Sequence, residues 1–195
     1  MTRVVLTEDS IVATSIRLIE QAGSDRFTLR RLGQALGADP TAIYRHFKDK
    51  DELLRAVGDR IIAEITVGLP DDRADWRTNV AEVCLRLRTA HVAQPHLAAL
   101  VRSAPPMHEN EFALTEVLLG QLQLAGLDAA GVALAYHALI ELTVGSAALD
   151  AATAALAAPH LYAGSAEYRF KYALDRMLDG IALRTPDVVA TDTDP

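Results

Sequence analysis

Residues 28–50 constrain the fold of this chain more than any other segment. Two short helical patterns flank Gly37, and the second of them opens with Asp39 followed by Pro40. An aspartate can accept hydrogen bonds from the first free amide groups of a helix, and proline at the first helical position loses no hydrogen bond. The segment therefore predicts a helix-turn-helix, whose second helix enters the major groove of DNA with its first residues at the base edges.

The side chains of this segment suit both roles that such a unit needs. Bases and phosphates are bound by side chains that donate hydrogen bonds, and a small three-helix core needs regularly spaced apolar residues. The candidate donors are Arg30, Thr41, Tyr44, His46 and Lys50. The apolar residues are Leu32, Leu36, Ile43 and Phe47.

The spacing of several residues in this region resembles the DNA-binding domain of the TetR family of one-component regulators. A bare helix-turn-helix pattern occurs in many small helical proteins, whereas a Tyr-x-His-Phe-x-x-Lys run at this position is far more specific. The resemblance extends loosely to the last helical pattern, so it covers nearly the whole chain and is strong to about residue 67. The residues that carry it are Gly37, Tyr44, His46, Phe47, Lys50, Leu53 and Leu54.

The resemblance implies how the headpiece would meet DNA. Arg30 would reach a guanine edge in a bidentate contact, while Pro40 and Thr41 would touch bases, Pro40 through apolar contact alone. Ala42 departs from members that carry a hydroxyl at its position, so one phosphate contact is expected to be absent. The residues that would hold phosphates are Thr28, Tyr44, His46 and Lys50.

More ordinary roles remain open for three of these residues. Arg30 could be a solvated surface arginine without a base contact. Tyr44 and His46 could pack within the headpiece, a role that is compatible with binding phosphate.

Charge is distributed unevenly along the chain. The net charge of −7 at first argues against a nucleic-acid partner. Residues 26–50, however, carry six basic side chains against two acidic ones, whereas residues 61–195 carry nine basic against seventeen acidic. Because salt screens charges beyond about 8–10 Å, the basic segment can bind a polyanion despite the acidic remainder.

Helical periodicity interrupted by glycine and proline predicts an all-α fold. We expect a three-helix headpiece with the helix-turn-helix in residues 1–50, a larger ligand-binding and dimerisation domain in residues 51–184, and a flexible tail in residues 185–195. The helix that starts near residue 49 would belong to both parts. The predicted helices are 7–22, 28–36, 40–46, 49–67, 76–94, 96–103, 109–125, 128–149 and 165–183.

The larger domain carries polar residues on otherwise apolar helices. His137 and Glu141 are four residues apart, which places them on one helix face. They could form the polar rim of a pocket for a small, largely apolar ligand, or simply stabilise the helix, and the neighbouring apolar residues could be ordinary core. The candidate ligand-binding residues are His91, His137, Glu141, Trp76 and Phe112.

Other function classes find little support in the sequence. Cys84 is the only cysteine, which excludes an internal disulfide and fits a reducing cytoplasm. We expect no membrane span and no signal peptide. Neither a zinc-binding spacing nor a nucleophile, phosphate-loop or dinucleotide motif occurs, so we expect no metal, no cofactor and no enzymatic activity.

The resemblance also implies the partners. Two copies would associate through the last two long helices, bind a palindromic double-stranded operator as a homodimer, and release it when a small-molecule inducer binds. Two alternatives stay open: a small all-α sensor or enzyme whose headpiece has lost DNA binding, and a regulator that responds to a protein partner. The apolar residues expected at the dimer face are Leu139, Leu142, Leu149, Phe170, Leu174, Met177 and Ile181.

Overall fold

Helices make up the regular structure of the computed structural model, which describes residues 6–23, 26–68, 75–103, 109–153 and 164–183. No β-strand occurs within these ranges, and the predicted all-α fold class is confirmed. The predicted tail, residues 185–195, lies outside them. The described helices are α1 (Glu8–Ala22), α2 (Leu29–Leu36), α3 (Pro40–Ile43), α4 (Lys50–Thr66), α5 (Trp76–Ala93), α6 (Pro95–Ser103), α7 (Glu109–Leu124), α8 (Ala129–Thr153) and α9 (Ala166–Ala182).

Two helices end at places that the sequence did not predict. Helix α3 stops at Ile43 instead of His46, because the backbone amide of His46 bonds to the carbonyl of Ile43 and tightens the last turn. Helix α8 continues to Thr153, four residues past the predicted end at Leu149. An alanine-rich run follows Leu149, and alanine has the highest helix propensity.

The first of two compact units takes its described residues from 1–67 and 93–112. It contains α1 to α4 and also α6, so it extends well past the headpiece boundary predicted at residue 50. The reason is apolar burial, since Leu53 and Val57 of α4 and Leu97 of α6 are at most 1% exposed. Its buried core comprises Ile11, Val12, Ile19, Phe27, Leu32, Ile43, Phe47, Leu53, Val57 and Leu97.

Two carboxylates of this unit cap helices that follow later in the chain. The carboxylate of Glu20 in α1 accepts a hydrogen bond of 3.2 Å from the backbone amide of Leu97 in α6. Asp59 of α4 accepts bonds of 3.0 and 2.7 Å from the backbone and side-chain amides of Asn110, in the first turn of α7. Negative charge next to free amides at a helix start is favourable, so both contacts stabilise the helices they cap.

The second unit takes its described residues from 68–92 and 113–195. Helices α5, α7, α8 and α9 contribute to it, and α8 packs along α9. On its outside, Arg77 of α5 pairs with Asp175 and Asp179 of α9 at 2.5 and 2.7 Å. Its buried apolar residues are Val80, Val83, Leu87, Leu114, Leu118, Leu122, Val132, Leu139, Ala147, Phe170, Leu174 and Leu178.

The predicted dimer face was wrong in part. Leu139, Phe170 and Leu174 are 0%, 2% and 3% exposed, so they belong to the core of the protomer and are not available to a partner. Periodicity identifies an apolar face but does not show which of two apolar faces packs inside. The large apolar residues of α8 and α9 that are exposed, or lie just beyond α9, are Leu134, Leu149, Tyr168, Tyr172 and Leu183.

Helix α8 is apolar on nearly all sides, and its acidic residues are Glu141 and Asp150 alone. By length and composition it could cross a membrane, with a mean hydropathy of 1.5 over a window of which 22% is buried. The expectation of no membrane span stays a prediction. One such helix is weak grounds for a membrane span, because helices that pack within soluble proteins pass the same test.

Candidate nucleic-acid interface

The turn between α2 and α3 is fixed by two glycines. Gly37 adopts the left-handed conformation, with φ of 63°, and ends α2 as only glycine does without strain. Gly33 was not singled out from the sequence. A Cβ atom there would lie 2.8 Å from the carbonyl oxygen of Ala38 and 3.2 Å from the ring of Pro40, so the absent side chain lets the start of α3 approach α2.

Helix α3 begins as the sequence predicts. Asp39 is its N-cap and Pro40 occupies the first turn. One carboxylate oxygen of Asp39, Oδ1, accepts two hydrogen bonds from Thr41, at 2.7 Å from the hydroxyl and at 2.8 Å from the backbone amide. These two bonds hold the pKa of Asp39 below its usual value, and the bond from the hydroxyl lowers it more than the bond from the amide.

The candidate base-contacting residues come together on one surface. Arg30 and Pro40 line an open groove of about 510 Å³, together with Gly33, Gln34, Gly37 and Ala38. Arg30 and Thr41 are exposed, and Tyr44 is 54% exposed, whereas Ile43 beside them is buried. The structure thus places polar groups outward and apolar groups inward along the same short segment, as a DNA-reading surface requires.

The four candidate phosphate-binding residues differ in how free their side chains are. Thr28 is exposed and caps α2, since its hydroxyl oxygen accepts from the amide of Arg31 at 3.2 Å. His46 is half-buried. Lys50 is half-buried too, and its Nζ donates to the carbonyl of Phe27 at 3.1 Å while lying 5.6 Å from the centre of that ring. An ammonium group has three donors, so Lys50 ties two segments together and keeps donors for a phosphate.

The candidate ligand-binding residues differ in exposure and in the helices that carry them. Trp76 and His91 lie on the same helix, fifteen residues apart, which separates them by about 22 Å along its axis. His137 and Glu141 are exposed on α8, and the ring of His137 meets that of Tyr136 edge-on. Phe112 is 54% exposed and belongs to the first unit.

Of these candidates, His91 is the one that is buried. Its Nδ1 lies 2.8 Å from the carbonyl oxygen of Leu87. A carbonyl only accepts, so Nδ1 carries the proton in this bond.

The sequence pattern did not predict the contacts of the other buried polar residues of the second unit. Asn79 of α5 donates its side-chain amide to the side chain of Gln121 of α7 at 2.9 Å, and both are buried. They are 42 residues apart in sequence, so only the fold reveals the pair. Cys84 is fully buried, and burial raises the pKa of its thiol to about 11, offset in part by a hydrogen bond with Thr143. Such a thiol is protonated and unreactive at neutral pH.

Comparison with known proteins identifies both parts of the chain. Residues 11–57 match the family described as bacterial regulatory proteins, tetR family, and residues 69–163 match the tetracyclin repressor-like C-terminal domain. An HTH-type transcriptional regulator of Saccharopolyspora erythraea is 28% identical over 175 residues, which are 86% of this chain and 74% of that protein.

Two solved structures show the same fold. A TetR variant from Acinetobacter baumannii AYE in complex with minocycline has a TM-score of 0.75 at 27% identity, covering 90% of this chain and 96% of that one. BioQ with its natural double-stranded DNA operator has a TM-score of 0.73 at 25% identity, covering 92% and 100%. The helix-turn-helix, the helical second unit and both family matches agree: the chain belongs to the tetR family of bacterial transcriptional regulators.

Proposed function

We propose that this protein is a transcriptional repressor that binds a palindromic operator as a homodimer and leaves it when a small molecule binds. The observation that carries the proposal is the surface around α3, where Arg30, Thr41 and Tyr44 are exposed above a buried apolar core. Support also comes from the solved relatives, one of which was determined with its DNA operator and another with minocycline.

The contacts with DNA divide into two kinds. Arg30, Pro40 and Thr41 contact base edges, because Arg30 and Pro40 line one groove and Thr41 follows Pro40 in the first turn of α3. The phosphate contacts are made by Thr28, Tyr44, His46 and Lys50. Arg30→Ala should therefore cost about 1–3 kcal/mol at one base position and relax the preference there.

Dimerisation uses the exposed apolar side chains of α8 and α9. Leu134 and Leu149 of α8 are 62% and 57% exposed, and Tyr168 and Tyr172 of α9 are 62% and 61% exposed. Large exposed apolar side chains on two helices that pack side by side favour a protein–protein contact there. A two-fold dimer presents two copies of α3 to half-sites one helical turn apart, about 34–36 Å.

The inducer is a small, largely apolar molecule bound in the second unit. His91 is the buried polar candidate for contact with the inducer. Trp76 lies at the opposite end of α5 and is therefore less favourable as a contact to the same molecule. His137 and Glu141 lie on the same helix as the proposed dimer face, so a second protomer could cover them. Linkage requires that the inducer bind the DNA-free protein more tightly, by the factor by which it weakens operator binding. Because the DNA lies in the bacterial cytoplasm, the protein acts there.

Selection from a library of randomised DNA duplexes tests the proposal. We expect the full-length protein to enrich an inverted repeat and to bind it with an affinity that falls steeply with salt. The control is Arg30→Ala, which should still bind DNA but enrich a more degenerate sequence. Enrichment of no common sequence by the wild type would contradict specific operator binding.

A further inference from the structure

Two exposed threonines of the helix-turn-helix use their hydroxyl groups in opposite senses. The hydroxyl oxygen of Thr28 accepts a hydrogen bond from the backbone amide of Arg31 at 3.2 Å, which leaves its hydrogen free to donate. The hydroxyl of Thr41 instead donates its single hydrogen to Oδ1 of Asp39 at 2.7 Å. Thr28 is therefore a donor toward its surroundings, and Thr41 is an acceptor.

The negative charge of Asp39 fixes the direction of this hydrogen bond, with Thr41 as the donor. The hydrogen bonds from the hydroxyl and, to a smaller extent, from the amide of Thr41 hold the pKa of Asp39 below the usual value. The group is thus a carboxylate near neutral pH, and a carboxylate has no hydrogen to give. What remains on the outward side of this pair is a hydroxyl oxygen with its lone pairs and the second carboxylate oxygen of Asp39.

An acceptor surface of this kind suits some DNA groups and rejects others. Phosphate oxygens only accept, so the carboxylate of Asp39 has no hydrogen to donate to them, and the hydroxyl of Thr41 could donate only by breaking its bond to Asp39. In the major groove, the base donors are the N6 amine of adenine and the N4 amine of cytosine, whereas guanine N7 and O6 and thymine O4 accept. The first residues of a recognition helix lie at base edges, and both side chains are exposed there.

We propose that Asp39 and Thr41 together form an acceptor pair that selects a base with an exocyclic amine, adenine or cytosine, at one position of each operator half-site. Asp39 is thereby a specificity-determining residue besides being the cap of α3. The inference rests on the proposed operator binding, since it assigns one step of base recognition to the same surface. Guanine and thymine at that position would place an acceptor against the carboxylate and lose affinity.

Base analogues test the pairing atom by atom. The probe is the duplex enriched by the wild type, in which each adenine is replaced in turn by purine and each cytosine by 2-pyrimidinone, so that only the amine is lost. We expect one symmetric position per half-site at which the wild type loses about two- to tenfold in affinity, the value of one hydrogen bond. Thr41→Val should lose part of this sensitivity, because only the carboxylate of Asp39 remains as an acceptor, whereas Thr41→Ser should keep the wild-type sensitivity.

Asp39→Asn provides the second arm. Asparagine keeps an oxygen that can cap α3 but places a donating NH₂ where the second carboxylate oxygen lies. A new selection with this variant should therefore shift the preference at the same position from adenine or cytosine toward guanine or thymine. Equal midpoints of thermal unfolding for wild type and variant would show that the shift does not come from a lost cap.

The outcomes separate the two proposals. A wild type that binds a specific inverted repeat, with no position at which Thr41→Val reduces the sensitivity to a missing amine, overturns the acceptor pair alone. An unchanged base preference of Asp39→Asn does the same. A wild type that selects no sequence overturns the proposed operator binding, and this inference with it.

Discussion

Asp150 is the acceptor on which two arginines of the second unit converge, and its removal should strongly destabilise that unit. Arg88 of α5 donates to one carboxylate oxygen, and Arg169 of α9 donates to the other at 3.3 Å. The Arg88 side chain is only 8% exposed, and its guanidinium lies 5.1 Å from the centre of the Phe170 ring. Asp150→Ala would therefore leave a buried positive charge without its counter-ion.

The magnitude follows from the burial of the pair. Breaking a buried ion pair by removing one partner costs about 3–5 kcal/mol. Asp150 is 17% exposed, so some water reaches it and we expect the lower end, about 3 kcal/mol. With a denaturant dependence of about 2 kcal/mol per molar urea, the unfolding midpoint should fall by roughly 1.5 M.

The assay is urea unfolding followed by circular dichroism at one fixed protomer concentration, because association would otherwise shift the midpoint. Lys171→Met is the matched control, since it breaks an exposed pair with Glu167 and should hardly move the midpoint. A double variant, Arg88→Met with Asp150→Leu, removes both charges and should regain most of the loss. Should Asp150→Ala unfold at the same urea concentration as the control, Arg88 does not depend on this carboxylate and the reasoning is refuted.

Three further predictions concern DNA binding, assembly and the turn. Lys50→Met should weaken binding to every duplex alike and flatten the salt dependence by about one unit in gel shifts, whereas a loss confined to one sequence would contradict a phosphate contact. Tyr172→Glu should give folded monomers in sedimentation, but Phe170→Glu should unfold the protomer, because only the second places a charge in the core. Gly33→Ala should lower both the melting temperature and DNA affinity, whereas Gly120→Ala, which meets no atom within 4 Å, should not.

The helix-turn-helix could be predicted because its determinants lie close together in sequence. Asp39, Pro40 and Gly37 set the start of α3 and the turn by local backbone rules, and these hold whatever the rest of the chain does. The structure adds the contact between Lys50 and Phe27, which joins residues 23 apart. A sequence pattern records that a lysine is present but not that its ammonium is already bonded within the fold.

The ligand-binding candidates were harder to predict because they come from different helices. Periodicity places His137 and Glu141 on one face of α8, which the structure leaves exposed, but it does not show what that face meets. Helix α8 is apolar almost throughout, so hydropathy gives no contrast between Leu134, which is 62% exposed, and Leu139, which is buried. Only the packing of α8 along α9 decides which side is core.

Gly33 shows how an absent side chain controls the DNA-reading surface. In the sequence it is a glycine within a helical pattern, which indicates only a weaker helix. In the structure, its missing Cβ leaves room for the carbonyl of Ala38 and the ring of Pro40, so α3 starts close against α2. That approach brings Pro40 beside Arg30 at one groove. The spacing between two proposed base-contacting residues on different helices thus depends on a glycine that has no side chain to contact a base.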